Sequence, residues 1–373
     1  MIIQENQKTD FLKYICLTFN FAELILCFGK QEIFVEGNVL MAKQWTAKEV
    51  LDVVRSFQPA CVMTAAADLD VFSPLYEKPM TAQALACELG TDPRATTILL
   101  DALVALEFLT KQASDYSVPE DVANLLTEKS ANNVLPMVRH LANCLRRWAR
   151  LSEVTQTGKP AECGPSVRGE AADQTVFIGG MHNISKPIAD EVIAKLQPLK
   201  FGHLLDIGGA SGTWTIAFLR AVPEAKATLF DLPAVISMAE RHFAEAGLGD
   251  RVTLVAGDFY TNELPYGADL AWLGAICHQN SREQNRALFA KVHKALKGGG
   301  VVVIRDVVMN PSHTSPVGGA LFAVNMLVGT EGGGTYTFNE YRHDLCEAGF
   351  GEVILVHRDE LMNSLIRAEK SQK

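Results

Sequence analysis

Leu204-Leu205-Asp206-Ile207-Gly208-Gly209-Ala210-Ser211-Gly212 runs an apolar segment into an acid and then into a glycine-rich turn. Nineteen residues past Gly212, a second apolar run from Ala227 to Phe230 ends in Asp231. Strand, glycine turn, helix, strand and acid together describe an adenine-nucleoside site at the C-terminal edge of a parallel sheet. Gly208 and Gly209 admit positive φ and let a ligand approach the main chain, and Gly212 lets the following helix pack close to the sheet.

Outward from this turn, strand and helix alternate. Strands are predicted at 203–207, 226–230, 252–256, 268–273 and 300–305, with helices at 213–221, 233–246 and 282–296. This alternation implies a parallel sheet covered on both faces. Two closely spaced runs, 351–358 and 363–369, predict an antiparallel pair at the sheet edge. Asp258, after the third strand, lies where it could accept from an adenine amino group, with Phe259 beside it to stack on the base. Each of Asp231 and Asp258 also has a plainer reading as a cap of the chain that follows.

The N-terminal half is helical. Val50, Leu51, Val53, Val54 and Phe57 have helical spacing, and residues 60–72 continue as a second apolar helix. Thr81 caps a helix that Gly90 stops, and Asp92-Pro93 starts the next. A hairpin around Ala113-Ser114-Asp115 completes a winged-helix plan. DNA binding is disfavoured, because the candidate recognition helix carries Asp101 and Glu107. Residues 134–154 predict one helix whose Arg139, Arg146, Arg147 and Arg150 form a solvated face. Residues 155–169 form a linker. The expected organisation is an extension over 1–40, a winged-helix dimerisation domain over 41–155 and an α/β domain over 156–373.

A length of 373 residues, 48% of them hydrophobic, suits two domains with substantial cores. The net charge of −9 argues against nucleic acid as a partner. Phe11 to Phe28 is apolar but broken by Lys13, Asn20 and Glu23, which suits neither a membrane span nor a cleaved signal. Eight scattered cysteines without metal spacing read as reduced thiols of a cytoplasmic protein. No His/Asp/Glu cluster suggests a metal.

NAD and S-adenosylmethionine both carry an adenosine. A pyrophosphate prefers the helix N-terminus of a G-x-G-x-x-G turn, whereas this turn is G-G-x-x-G. A separate acid on the third strand also suits a lone nucleoside, so S-adenosylmethionine is favoured.

On Asp206-Ile-Gly-Gly-Ala-Ser-Gly, Phe230-Asp231-Leu-Pro, Gly257-Asp258-Phe259 and Ile276-Cys277-His278, the chain resembles the small-molecule O-methyltransferases that include caffeate, acetylserotonin and many bacterial enzymes. The resemblance covers roughly residues 45–370. It implies a Rossmann-like class I methyltransferase sheet, a homodimer, and S-adenosylmethionine binding by Gly208, Asp231, Asp258 and Phe259; Asp206, Gly209, Gly212 and Ser185 complete the expected cofactor residues. It implies His278 as catalytic base, and an acceptor pocket containing Met181, Phe322, Asn325 and Met326. The acid that commonly follows the histidine is Gln279 here. Of the two flanking acids of plant members, the first falls at Asp306 and the second at Thr335, and a lysine four residues before the histidine is replaced by Gly274.

Methyl transfer from a sulfonium is an in-line displacement, so the protein must align the reactants and remove the acceptor's proton. Histidine suits proton removal near neutrality. Asp306, just after the fifth strand, is expected to hold its second ring nitrogen. Cys277 is discounted as a partner, on the ground that adjacent strand residues face opposite ways. The expected activity is O-methylation of a small aromatic or polyketide-like secondary metabolite. Transfer to carbon or nitrogen and a non-methylating binding protein remain the alternatives.

Overall fold

A computed structural model describes residues 43–130 and 132–371, except the side chain of Gln174. The extension expected over 1–40 lies outside the described residues. The chain divides into two units, one of residues 43–146 with 163–183 and the other of 147–162 with 184–371.

In the first unit Thr46 and Glu49 form a reciprocal cap on α1 (Ala47–Arg55). It is followed by α2 (Phe57–Asp68), α3 (Phe72–Glu77) and β1 (Met80–Thr81). Thr81 accepts from the Ala84 amide to start α4 (Ala82–Leu89), and Gly90, at φ 65, ends it. Asp92 caps α5 (Pro93–Ala105). The hairpin of β2 (Thr110–Gln112) and β3 (Asp115–Ser117) pairs with β1 in an antiparallel sheet of order β1-β3-β2, which is the expected wing. Phe72, Leu75, Leu85, Leu100, Leu103 and Tyr116 form the core. α1 buries none of its side chains, and Val50, Leu51, Val53, Val54 and the adjoining Phe57 are all exposed.

After α6 (Glu120–Leu126), the single helix expected over 134–154 is two, α7 (Leu135–Trp148) and α8 (Leu151–Thr157). The arginine face also departs from expectation. Arg139 is buried, donates to the carbonyl of Ala67, and pairs with Glu128 at 2.6 Å and Asp70 at 3.4 Å. Arg146 pairs with Asp68. A buried guanidinium is tolerated when its donors are met, as these are.

α9 (Glu170–Ser185) and α10 (Ala189–Ala194) precede the large sheet. Its strands are β4 (His203–Ile207), β5 (Lys226–Asp231), β6 (Val252–Ala256), β7 (Ala268–Gly274) and β8 (Leu296–Asp306). Between them run α11 (Thr213–Ala221), α12 (Pro233–Glu245) and α13 (Arg282–Ala295). β9 (Val308–Met309), α14 (Val317–Gly329), β10 (Tyr336–Thr337) and α15 (Phe338–Glu347) follow, and β11 (Phe350–His357) and β12 (Ser364–Lys370) close the chain. The seven-stranded order is β11-β12-β8-β7-β4-β5-β6, parallel from β8 to β6 and antiparallel at β11 and β12, as the closing pair predicted.

Side chains alternate between the two faces of the sheet. Leu205 and Ile207 join a core with Leu288, Phe289 and Tyr341 from α13 and α15, while Leu204 joins Val192, Trp214 and Phe218 from α10 and α11. Trp214 and Trp272 are core residues. No helix among the described residues is long and apolar enough to cross a membrane.

Candidate functional site

The strand order decides what meets what. β4 lies between β7 and β5, so the turn after β4 has the ends of β7 and β8 on one side and those of β5 and β6 on the other. The order in which successive parallel strands are added reverses across β4, and ligands of open α/β sheets lie at such switch points. At about 4.8 Å per strand, His278 after β7 and Asp258 after β6 stand roughly 14 Å apart along this edge.

The glycine turn is packed from below. Gly208 has φ +69, and a Cβ there would meet the Cδ1 of Ile276 at 2.5 Å, with Phe259 at 3.8 Å. A Cβ on Gly209 would instead strike Leu229 at 2.7 Å, so this glycine faces the sheet rather than a ligand. Gly212, at φ +77, brings the start of α11 against Phe243, where a Cβ would lie 2.4 Å from the ring. Asp206, grouped above with the cofactor residues, sits beneath the turn. Its carboxylate accepts from Thr215 Oγ1 at 2.6 Å, and burial pushes its pKa up to about 7. This bond ties the end of β4 to α11.

Asp231 is not the cap of α12, whose N-cap position is Leu232. One carboxylate oxygen accepts from the Ala210 amide at 2.7 Å and the other from the Leu232 amide at 2.6 Å. Burial raises its carboxyl above the usual range, and these two N–H groups partly offset that. Asp258 accepts from the Tyr260 amide through Oδ1, forming a local turn. Phe259 lies with its ring 4.5 Å from that of Tyr260. The loop carrying both is held by a residue that sequence reasoning missed. Lys291 Nζ on α13 donates to the carbonyls of Phe259, Tyr260 and Asn262 at 2.8, 2.8 and 3.0 Å. A lysine at this spacing on an amphipathic helix carries no signal that it closes a loop some thirty residues away in sequence.

His278 sits in a 3-10 turn, Cys277–Gln279, rather than on a strand. The ground for discounting Cys277 changes accordingly. Its thiol is fully buried, which raises its pKa well above the ordinary thiol range, and its carbonyl accepts from Asn285. His278 Nδ1 lies 2.9 Å from Asp306 Oδ1, and the His278 amide donates to Oδ2 at 3.1 Å. The Val307 amide donates to Oδ1 at 2.8 Å. The Asp306 carboxylate is 0% exposed and the imidazole 12%, so one carboxylate holds both the ring and the backbone of the turn. The imidazole also meets Phe322 on α14 in a T-shaped contact, with ring centroids 4.8 Å apart. Thr335 donates to the Gly319 carbonyl, and Asp306 is the sole carboxylate paired with the imidazole among the described residues.

Ser185 is buried at the end of α9, Met326 is buried on α14, and Asn325 is half-buried one helical turn from Phe322. Met181 belongs to the first unit, half-buried in α9. Contrary to the expected absence of a metal-type cluster, His343, Asp344 and Glu347 come together on α15. Asp344 is, however, ion-paired with Arg282 and Arg286.

A single adenosine carrying a short charged arm fits this edge. Two strand-end carboxylates lie on one side of the glycine turn, and an imidazole lies on the other. Nothing in the turn is built for a pyrophosphate, since Gly209 and Gly212 face the interior.

Known proteins share both units. The O-methyltransferase domain matches residues 164–351, and the O-methyltransferase dimerisation domain matches residues 51–129. The chain is 30% identical to the tetracenomycin polyketide synthesis 8-O-methyl transferase TcmO of Streptomyces glaucescens, covering 82% of this chain and 91% of that one. It is 31% identical to the 3-hydroxy-5-methyl-1-naphthoate 3-O-methyltransferase of Streptomyces sahachiroi, over 78% of this chain and 86% of that one. The solved structure of human N-acetylserotonin methyltransferase in complex with SAM superposes with a TM-score of 0.74 at 23% identity, covering 89% and 100% of the two chains.

Proposed function

The chain belongs to the O-methyltransferase family, S-adenosylmethionine-dependent enzymes, and from that premise we propose a reaction and a set of roles. The acceptor is a hydroxyl on a small aromatic or polyketide-like molecule, and His278 is the general base. One observation carries this reading: the glycine turn stands between the His278–Asp306 pair and the two carboxylates of β5 and β6.

Bound S-adenosylmethionine supplies a methyl group on a positively charged sulfur, an electrophile that needs no further activation. The residues of the chain then have three tasks. Asp231 accepts from the ribose hydroxyls, Asp258 Oδ2 accepts from the adenine amino group, and Phe259 covers the base. Gly208, at φ +69 with Ile276 packed against it, lets the main chain make the turn, and Ser185 reaches the cofactor carboxylate. His278 takes the acceptor's proton at Nε2, because Asp306 engages Nδ1 and fixes the tautomer. A phenol with a pKa near 10 is a weak nucleophile until that proton leaves. The buried Asp306 carboxylate then balances the imidazolium that forms. Phe322 buttresses the ring, and with Asn325 and Met326 it lines the acceptor side.

The active form is a homodimer. The dimerisation-domain match and the exposed apolar face of α1 support this.

Calorimetry with S-adenosylhomocysteine and turnover with a methyl-labelled cofactor and a phenol panel test the proposal. Asp231→Ala should weaken S-adenosylhomocysteine binding roughly tenfold to a hundredfold, the range for losing hydrogen bonds to a charged group. His278→Ala should bind it normally and lose turnover. A fully active His278→Ala enzyme would reject the base assignment, and a protein that binds no S-adenosylhomocysteine would reject the whole reading.

A further inference from the structure

Asn325 was placed above on the acceptor side by its position, and the structure says more about it. Trp148, the last residue of α7, donates its indole N–H to Asn325 Oδ1 at 2.8 Å. An indole nitrogen only donates, so the amide atom facing it must be the oxygen. The two ends of an asparagine amide are otherwise hard to tell apart. Here the partner's chemistry fixes them, and the amino end turns away from Trp148. The Nδ2 group makes no hydrogen bond among the described residues.

Phe322 and Asn325 are three residues apart on α14, neighbours on one face with Cβ atoms about 5–6 Å apart. The Phe322 ring stands 4.8 Å from the imidazole of His278. The amide is therefore roughly 10 Å from the imidazole by these two steps, on the same side of α14. That is the reach of a flat bicyclic or tricyclic acceptor whose reacting hydroxyl is at His278 and whose far oxygen is at Asn325.

We infer that Trp148 is a positioning residue that locks Asn325 as a hydrogen-bond donor, and that the enzyme thereby selects acceptors carrying a carbonyl or other accepting oxygen about one ring away from the methylated hydroxyl. This rests on the reaction proposed above and specifies its substrate class. A phenolic hydroxyl at the far position is a poorer match than a ketone, because its own proton meets a donor. A hydrocarbon there leaves the amide unpaired, which sites built to hydrogen-bond an oxygen reject.

Matched acceptors test this: 6-hydroxy-1-tetralone, which carries the far ketone, and 5,6,7,8-tetrahydro-2-naphthol, which lacks it. The ketone also alters the acidity of the phenol. For that reason kcat/KM is read alongside the Kd of each acceptor in the presence of S-adenosylhomocysteine, which does not depend on proton removal. The wild-type protein should favour the ketone about five- to tenfold in Kd, the span of one neutral hydrogen bond. Asn325→Asp offers only acceptors and should reverse the preference. Trp148→Phe frees the amide to rotate, so the ratio should fall toward one while the naphthol is still methylated. Asn325→Ala should give the same collapse and guards against misfolding of the tryptophan variant.

A Trp148→Phe protein that keeps the full ketone preference would overturn the positioning role. A wild-type protein indifferent to the ketone would overturn the substrate class while leaving phenol methylation standing. If neither phenol binds or reacts in a protein that still binds S-adenosylhomocysteine, both the inference and the reaction beneath it fail.

Discussion

Replacing Asp306 with asparagine tests the catalytic reading most directly, and its cost follows from the contacts of the carboxylate. Oδ1 accepts from Val307 N at 2.8 Å and from His278 Nδ1 at 2.9 Å, and Oδ2 accepts from His278 N at 3.1 Å. An asparagine has one oxygen. If it takes the Oδ1 position, its amino group faces the His278 amide, donor against donor. If it takes the Oδ2 position, the Val307 amide loses its partner and the amino group sits beside the ring. Either arrangement strands a buried donor, at about 1–3 kcal/mol. The lost charge matters more to catalysis. A carboxylate about 4 Å from an imidazolium at an effective dielectric near 20 contributes roughly 4 kcal/mol. At 1.36 kcal/mol per factor of ten, kcat should fall about a hundredfold to a thousandfold. The assay is initial-rate methyl transfer to two phenols, one weakly acidic and one already ionised at the assay pH, with S-adenosylhomocysteine affinity measured by calorimetry. The weakly acidic phenol should suffer the full loss and the ionised one much less, with cofactor affinity within about twofold of wild type. If the folded variant retains kcat within about threefold, or if both phenols suffer equally, Asp306 does not act through the proton-accepting imidazole.

Three further outcomes are expected. Burial raises Asp206 from 3.8 to about 7, so between those values the folded protein holds a proton that the unfolded chain has released, and stability falls as pH rises. The full cost, at most about 4 kcal/mol, is reached above pH 7. Asp206→Asn should abolish this dependence and gain on wild type steadily from pH 4 to 7 in urea melts, and a constant difference across that range would contradict the assignment. Gly212→Ala combines a left-handed φ of +77 with a Cβ 2.4 Å from the Phe243 ring. It should cost about 2–5 kcal/mol, and Phe243→Leu in the same chain should recover the steric part but not the backbone part. Lys291→Met leaves three loop carbonyls without their donor. S-adenosylhomocysteine binding should weaken about tenfold with little change in kcat at saturating cofactor, and an unchanged affinity would separate this lysine from the site.

Much of the site was legible locally. The glycine turn announced itself because positive φ at Gly208 and Gly212 is a local demand. The helix caps at Thr81 and Asp92 were legible for the same reason, since capping acts within three residues. The acids at the strand ends were found by their places, but their tasks were not. Asp206 and Asp231 look alike in sequence, each ending an apolar run. One faces Thr215 in the interior and the other meets the turn, because Asp206 pairs with Leu229 and Asp231 therefore stands two residues nearer the edge on the same face. Arg139 read as solvated because its partners, Asp70 and Glu128, come from distant segments.

By itself the sequence determined the elements, their kinds, and which residues stand at the ends of strands, since backbone propensity, capping and hydrophobic period act over a few residues. Only the tertiary structure decided their neighbours. In chain order His278 follows Asp258, yet in the sheet β7 lies against β4, so the imidazole flanks the glycine turn on the side away from both carboxylates. The indole of Trp148 meets Asn325 across 177 residues. Parallel strands are joined by long crossovers, which leave the order of the sheet to packing of its two faces rather than to any local signal.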